Sequence, residues 1–270
     1  MTLLTDFRAY LPTTGFWGTP TSSVDWCEAN YAHTPYVCEL FNTVSSLAMV
    51  VVGLAGTLCH RRLLERRFLG AFFLVALVGL GSIAFHGTLR FELQMLDELP
   101  MLYTVILMAF ILLEQQPGRR FGAWLPRSLV TYAVFVTYLA AFTRGRLQFY
   151  LFQVSFGSLE FWCLYQVYRL FRASQSSIVR RWFLQGVSLY AGAMILWFSD
   201  LRFCDVLAIQ LPAHGMVNPQ LHAWWHVLVS GGFYLLLLLL AYDRQQRLGH
   251  SPRVAHYGFF FPYLQNGQTE

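Results

Sequence analysis

Three of the eight histidines in this chain stand at spacings that suit a single metal ion. His222 and His226 are four residues apart, which on a helix stacks both imidazoles on one face. Ser82 and His86 repeat that spacing, and Asp97 follows a short way on. Three imidazoles and a water make a catalytic zinc site with one open position. The ion would bring the pKa of its water toward neutrality. Asp97 would take the water proton as general base and then protonate a leaving amine. Ser82 would donate a hydrogen bond to the oxyanion of a tetrahedral amide carbon. The chemistry is metal-assisted amide hydrolysis.

The elements that must position these groups are helices in lipid. The chain of 270 residues is 56% hydrophobic and 12% charged, against about 25% charged in an ordinary soluble domain. Uncharged runs near the 17–25 residues that cross a bilayer recur at Leu40 to His60, Phe68 to Phe85, Leu99 to Leu113, Ser128 to Thr143, Leu147 to Tyr168, Trp182 to Phe198 and Ala223 to Tyr242. Only Glu160 interrupts the fifth, and His226 lies in the seventh. The expected fold is all-α, a seven-helix transmembrane bundle over 40–242. A segment at 1–39 precedes it, and a tail at 243–270 follows.

All 19 basic residues are arginines. Fourteen fall on one side of this map, in clusters such as Arg61–Arg62, Arg66–Arg67, Arg119–Arg120 and Arg180–Arg181. Five fall on the other: Arg8, Arg90, Arg144, Arg146 and Arg202. The positive-inside rule then makes the N-terminus luminal or extracellular and the C-terminus cytosolic. Seven crossings agree with ends on opposite sides. The net charge of +5 is spread between apolar runs, without the basic, aromatic-interleaved stretch of a nucleic-acid binder. The first 39 residues lack a signal-peptide core. On this map Ser82, His86, Asp97, His222 and His226 share one depth in the luminal half, although the helix assignment made no use of them.

Plainer readings stand beside the chemical ones. Histidines at a membrane interface are commonly satisfied interfacial residues. Ser82 suits packing between membrane helices. Asp97 and Glu98 suit the cap of a third helix whose first turn holds Pro100. Asp25, Glu28, Asn30 and Glu39 offer hard oxygens, but the spacing is not that of an EF-hand, and the residues alone favour a solvated acidic loop over a calcium site. His33, His60, His214, His250 and His256 read as surface or interfacial, and Asp200 and Asp205 as loop structure. Glu160 is an intramembrane carboxylate, a functional candidate by default or the partner of another helix.

The blocks GFWGTPTSSVDWCEANY at 15–31, ELFNTVSSLAMV at 39–50, GSIAFHGTLRFELQMLDELPMLY at 81–103 and QLHAWWHVL at 220–228 resemble the alkaline ceramidase family of seven-helix membrane enzymes. The combination of GS-x-x-FH, LDELPM and HAWWH is specific, and the middle helices match mainly in hydrophobic character. The resemblance implies hydrolysis of ceramide to a sphingoid base and a fatty acid, in endoplasmic reticulum or Golgi membranes. It implies zinc on His86, His222 and His226, and a catalytic Ser82 and Asp97. It also implies calcium on Asp25, the Trp26 carbonyl, Glu28, Asn30 and Glu39, and a disulfide between Cys27 and Cys204. Cys38 competes for that pairing, whereas Cys59 and Cys163 read as free. Membrane lipid is the expected surrounding, and nucleic acid is not an expected partner. A zinc-containing receptor of the progestin and adipoQ type is the rival on the same fold. A transporter using Glu160 and Asp97 is the second, disfavoured by the lack of an inverted repeat.

Overall fold

A computed structural model describes residues 14–118, 120–258 and 261–267; Arg8 and Arg119 lie outside them. A short helix α1 (Leu40–Ser45) leads into α2 (Leu47–His60), followed by α3 (Arg66–Thr88), α4 (Phe91–Leu113), α5 (Trp124–Phe142), α6 (Gly145–Ala173) and α7 (Ser177–Arg202). A π-helical turn at Val206–Gln210 and a one-turn α8 (Leu211–Ala213) precede the long α9 (Leu221–Arg247). Two antiparallel strands, β1 (Arg253–Tyr257) and β2 (Phe261–Gln265), close the described chain.

Six of these helical stretches, α1–α2 together, α3, α4, α5, α7 and α9, are long and apolar enough to cross a membrane. The protein is a multi-pass membrane protein. Helix α6 has 29 residues, but Gln148, Gln153, Glu160 and Gln166 dilute its apolar character.

Helix α3 ends at Leu89, in the left-handed region at φ 49°, and leaves carbonyls without helical partners. The N-terminal segment supplies the donors. Backbone N–H groups of Thr21 and Ser22 reach the Leu89 carbonyl, Cys38 reaches Gly87, and Glu39 reaches His86. The 1–39 stretch is therefore part of the bundle wherever it is described. It binds the end of α3 that carries Ser82 and His86, here called the site end. Arg144, just before α6, lies 3.4 Å from the Phe91 ring centroid at the same end.

Close helix contact sets the register of the site. A Cβ at Gly81 would lie 1.9 Å from the Leu96 carbonyl oxygen and 2.8 Å from the Asp97 nitrogen. Backbone thus meets backbone where α3 crosses α4, at Gly81 before Ser82 and at Leu96 before Asp97. Gly186 of α7 and Gly232 of α9 pack the same way, with a Cβ at Gly232 2.9 Å from the Gly186 carbonyl. Small residues at such interfaces let dispersion and weak backbone contacts replace the hydrophobic drive that lipid removes.

Several expectations need correction. The third span begins at Phe91 rather than Leu99, so Asp97 and Glu98 lie in its second turn and Pro100 inside it. Neither carboxylate caps the helix. The polar Glu92, Gln94, Asp97 and Glu98 masked this extension; Glu92 is exposed, whereas Gln94 and Glu98 find their partners inside the protein. His60, read as interfacial, is fully buried. Its Nδ1–H donates to the Gly56 carbonyl at 2.7 Å, and its Nε2 accepts the Leu264 N–H at 3.0 Å. The tail is likewise structured: α9 runs to Arg247, and Leu264 packs into the main core beside Phe68, Phe72 and the Leu236–Leu240 run. Asp200 lies within the last turn of α7, buried.

Gly81→Val should overpack the α3–α4 crossing and cost about 1–3 kcal/mol. The melting temperature of the detergent-purified protein checks this, with Gly70→Ala as the control, since a Cβ there meets only ordinary contact at 3.4 Å.

Candidate active site

Helix α3 delivers Ser82 and His86, one turn apart, and the first turns of α9 deliver His222 and His226. One ligand atom from each of the three histidines falls within 4.8 Å of the others. The spacing that suggested a shared ion thus closes in space. All three rings are buried, His86 and His226 completely.

The hydrogen bonds around the rings define which nitrogen is available. His86 Nδ1 donates to Glu39 Oε2 at 2.5 Å. Ser45 Oγ donates to the Asn42 carbonyl at 3.1 Å, so it accepts from His226 Nδ1–H at 2.8 Å. His226 Nε2 then carries its lone pair toward the cluster, 3.4 Å from Ser82 Oγ. Ser46 Oγ donates to the same Asn42 carbonyl at 2.7 Å and accepts from Ser82 Oγ at 2.9 Å. His86 Nε2 and His222 Nδ1 are buried with no partner. A buried acceptor without a donor costs about 1–3 kcal/mol, so orphaned nitrogens facing a three-histidine cluster fit a metal ion.

His222 is held by its surroundings rather than by a side-chain acceptor. Its ring stacks on Trp26 at 3.7 Å and on Trp225 at 5.0 Å between centroids. Its backbone N–H, free because it opens α9, goes to the Asp200 carboxylate, which also accepts the Cys27 N–H at 3.2 Å. The Cys27–Cys204 disulfide joins the same loop to the end of α7. Among the described residues Cys38, Cys59 and Cys163 are free.

Glu39, read only as a calcium ligand, and Ser45, Ser46, Asp200 and Trp225 are the residues whose support of the histidines sequence reasoning did not foresee. For the first three a signal existed: they cluster before and within the first helix, at the depth of the histidines. Asp200 carried none, because its partner Cys27 lies far away in sequence, whereas Trp225 stands between the two histidines it packs on, inside the HAWWH block.

Asp97 stands outside the histidine cluster but lines the same cavity as His222, Trp26 and Trp225. The cavity has a volume of about 280 Å³ and is open to the outside. Its walls are mostly apolar, including Phe85, Phe152, Phe156 and Phe233. The polar exceptions include Glu98 beside Asp97 and, on the far wall, Glu160, which faces the Tyr190 hydroxyl. The shape suits a molecule with a small polar centre and long hydrocarbon arms.

The acidic segment before α1 lies against this site. Glu28, Asn30 and Glu39 are each buried to 3% exposure or less. Glu28 accepts the N–H groups of Phe41 and Asn42 at 2.7 and 2.8 Å, capping α1. Asn30 donates to the Asp25 carboxylate, and Glu39 accepts from the Trp26 N–H and from Asn42. Burial, then the charge of Glu39, pushes the Glu28 carboxyl up to about 7. Burial pushes Glu39 up to about 8. Asn30 Oδ1 and Asn42 Oδ1 are buried acceptors with no donor. Buried carboxyls beside orphaned amide oxygens form an environment that a hard cation satisfies.

A model of the ceramidase family matches residues 18–265. The chain belongs to that family. The matched stretch contains every candidate site residue, from Asp25 to His226. The chain is 33% identical to Alkaline ceramidase 3 of Mus musculus, over 89% of this chain and 90% of that protein. It is 30% identical to Alkaline ceramidase of Arabidopsis thaliana, over 93% and 94%. Against Alkaline ceramidase YPC1 of Saccharomyces cerevisiae it is 27% identical, over 85% and 79%. The family's sequence blocks are the segments that fold together here: the N-terminal segment, the ends of α3 and α4, and the start of α9.

Ser45→Ala strips the acceptor from the buried His226 Nδ1–H and should cost about 1–3 kcal/mol. Thermal unfolding of the purified protein reads this, and an unchanged midpoint would show that the bond does not hold the ring.

Proposed function

We propose that this chain is a zinc-dependent intramembrane amidase that hydrolyses the N-acyl bond of ceramide to a sphingoid base and a free fatty acid. The observation that carries the reading is the buried three-histidine cluster, with two unpartnered nitrogens, opening on an apolar cavity that also holds Asp97. The names of its relatives supply the substrate class.

His86, His222 and His226 would hold the zinc. When bound, the ion supplies a Lewis acid for the amide carbonyl and an acidified water. Asp97 takes the proton from the attacking water as its oxygen adds to the carbonyl carbon. Ser82, 3.4 Å from His226 Nε2, donates its O–H to the oxygen on which negative charge develops, giving up its bond to Ser46. Asp97 then passes the proton to the nitrogen as the C–N bond breaks, which yields the amine and the acid. The aromatic walls exclude bulk water and take the two hydrocarbon chains.

Glu39 and Ser45 orient two of the rings through their outer nitrogens. Outer partners of this kind are worth about 10–100-fold in metal affinity. A calcium ion on Asp25, the Trp26 carbonyl, Glu28, Asn30 and Glu39 would neutralise the buried acids and tie the N-terminal segment to the bundle. Glu39 would then serve both sites, touching the calcium set on one side and His86 on the other. Helix α6 completes seven crossings in this reading, with the site end luminal, the arginine-rich end cytosolic, and the endoplasmic reticulum or Golgi as the host membrane.

Purified protein given labelled ceramide should release fatty acid. His222→Ala should abolish release, and chelated wild-type protein should regain it with zinc. Turnover that survives both treatments would remove the metal from the mechanism. Calcium should raise the melting temperature of wild-type protein, and Glu28→Gln should shrink that rise; equal rises in both would argue against the acidic site.

A further inference from the structure

The proposed mechanism leaves Glu98 without a task, although it stands next to Asp97 and lines the same cavity. Its surroundings can be oriented without ambiguity, starting from one backbone group. The Ser23 N–H donates to Gln94 Oε1 at 2.7 Å. That fixes the Gln94 amide, so Nε2 is the donor to Glu98 Oε1 at 2.8 Å and to Gln148 Oε1 at 3.0 Å. Gln148 Oε1 is therefore an acceptor, and its Nε2 donates to Glu98 Oε2 at 2.5 Å. Both glutamines are fully buried, while Glu98 keeps 7% exposure.

Glu98 is thus clamped by one amide donor on each oxygen, from α4 itself and from α6. A carboxylate offers about four acceptor positions, so the clamp uses about half of them. Among the described residues no basic side chain forms an ion pair with it. A carboxylate held rigidly at a cavity wall, with spare acceptor capacity and no cation, is complementary to a neutral ligand carrying hydroxyl donors.

We infer that Glu98 accepts hydrogen bonds from the hydroxyl groups of the sphingoid base. This rests on the ceramide reading and deepens it. In ceramide the hydroxyl-bearing carbons flank the carbon that carries the amide nitrogen, so the hydroxyls lie a few bonds from the scissile group. Asp97 and Glu98 are consecutive on α4 and share that scale: Asp97 serves the amide, and Glu98 reads the hydroxyls beside it. The site then distinguishes an amide of an amino-diol from an amide of a plain long-chain amine, which presents the same apolar arms. Gln94 and Gln148 are positioning residues, and Ser23 connects their alignment to the N-terminal segment.

The test compares kcat/KM for ceramide with that for two analogues, one lacking the 1-hydroxyl and one lacking the 3-hydroxyl. It uses the purified full chain as wild type, Glu98→Gln and Gln148→Leu. Wild type should prefer ceramide over at least one analogue by about tenfold or more. In Glu98→Gln that preference should collapse toward unity, mainly through KM, and Gln148→Leu should move it the same way. The ratio is internal to each protein, so partial loss of folded enzyme cancels, and either variant suffices if the other does not fold. A ratio equal in wild type and variants, or a wild type indifferent to both hydroxyls, overturns the assignment while leaving ceramide hydrolysis intact. A wild type that does not cleave ceramide overturns the reading beneath it as well.

Discussion

The end of α3 is the constraint on which the site depends. A helix that stops inside lipid-facing protein leaves carbonyls that water cannot reach, and each must find a donor. Here the donors come from the backbone of the N-terminal segment, at Thr21, Ser22, Cys38 and Glu39. The same pairing that satisfies these carbonyls brings the Glu39 side chain onto His86 and sets Trp26 on His222. Backbone satisfaction and site assembly are one event. The disulfide at Cys27 and the Asp200 carboxylate fasten the other side of the loop to α7 and α9.

Burial explains why the polar residues come in chains rather than singly. In a low-dielectric interior an unpaired polar atom is costly, and a fully satisfied network is rigid. The Asn42 carbonyl receives Ser45 and Ser46, which in turn receive His226 and Ser82. The Ser23 N–H orders Gln94, Gln148 and Glu98 in the same manner. Each chain begins at a backbone group; the first ends at Ser82 and His226 in the buried cluster, and the second at Glu98 on the cavity wall, so the rigidity of the backbone reaches the site. Among the buried atoms left without partners, those on His86, His222 and Asn30 belong to residues for which the family resemblance implies cations.

The opposite end of the bundle is built differently. There an apolar core of Phe68, Phe72 and the leucines of α9 is closed by the β1–β2 hairpin, with Leu264 inserted and His60 accepting its N–H. Apolar packing fills this half, and Glu65 pairs with Arg67 and Arg244 there. The site half spends apolar volume on an open cavity and depends on its hydrogen-bonded segment and disulfide instead.

Local pattern in the sequence determined the helices, the pairing of His222 with His226 and of Ser82 with His86, and the common depth of these groups. Helical periodicity and the span of a bilayer act over a few residues, so they can be read from a few residues. The tertiary structure alone decided that α4 starts at Phe91, that His60 is a core residue, and that Asp200, Ser45 and Glu39 support the histidines. It also decided that Glu98 is clamped at the cavity wall. Those outcomes depend on partners tens to more than a hundred residues away, and a polar side chain shows in its own neighbourhood only that it needs a partner, not which one the fold supplies.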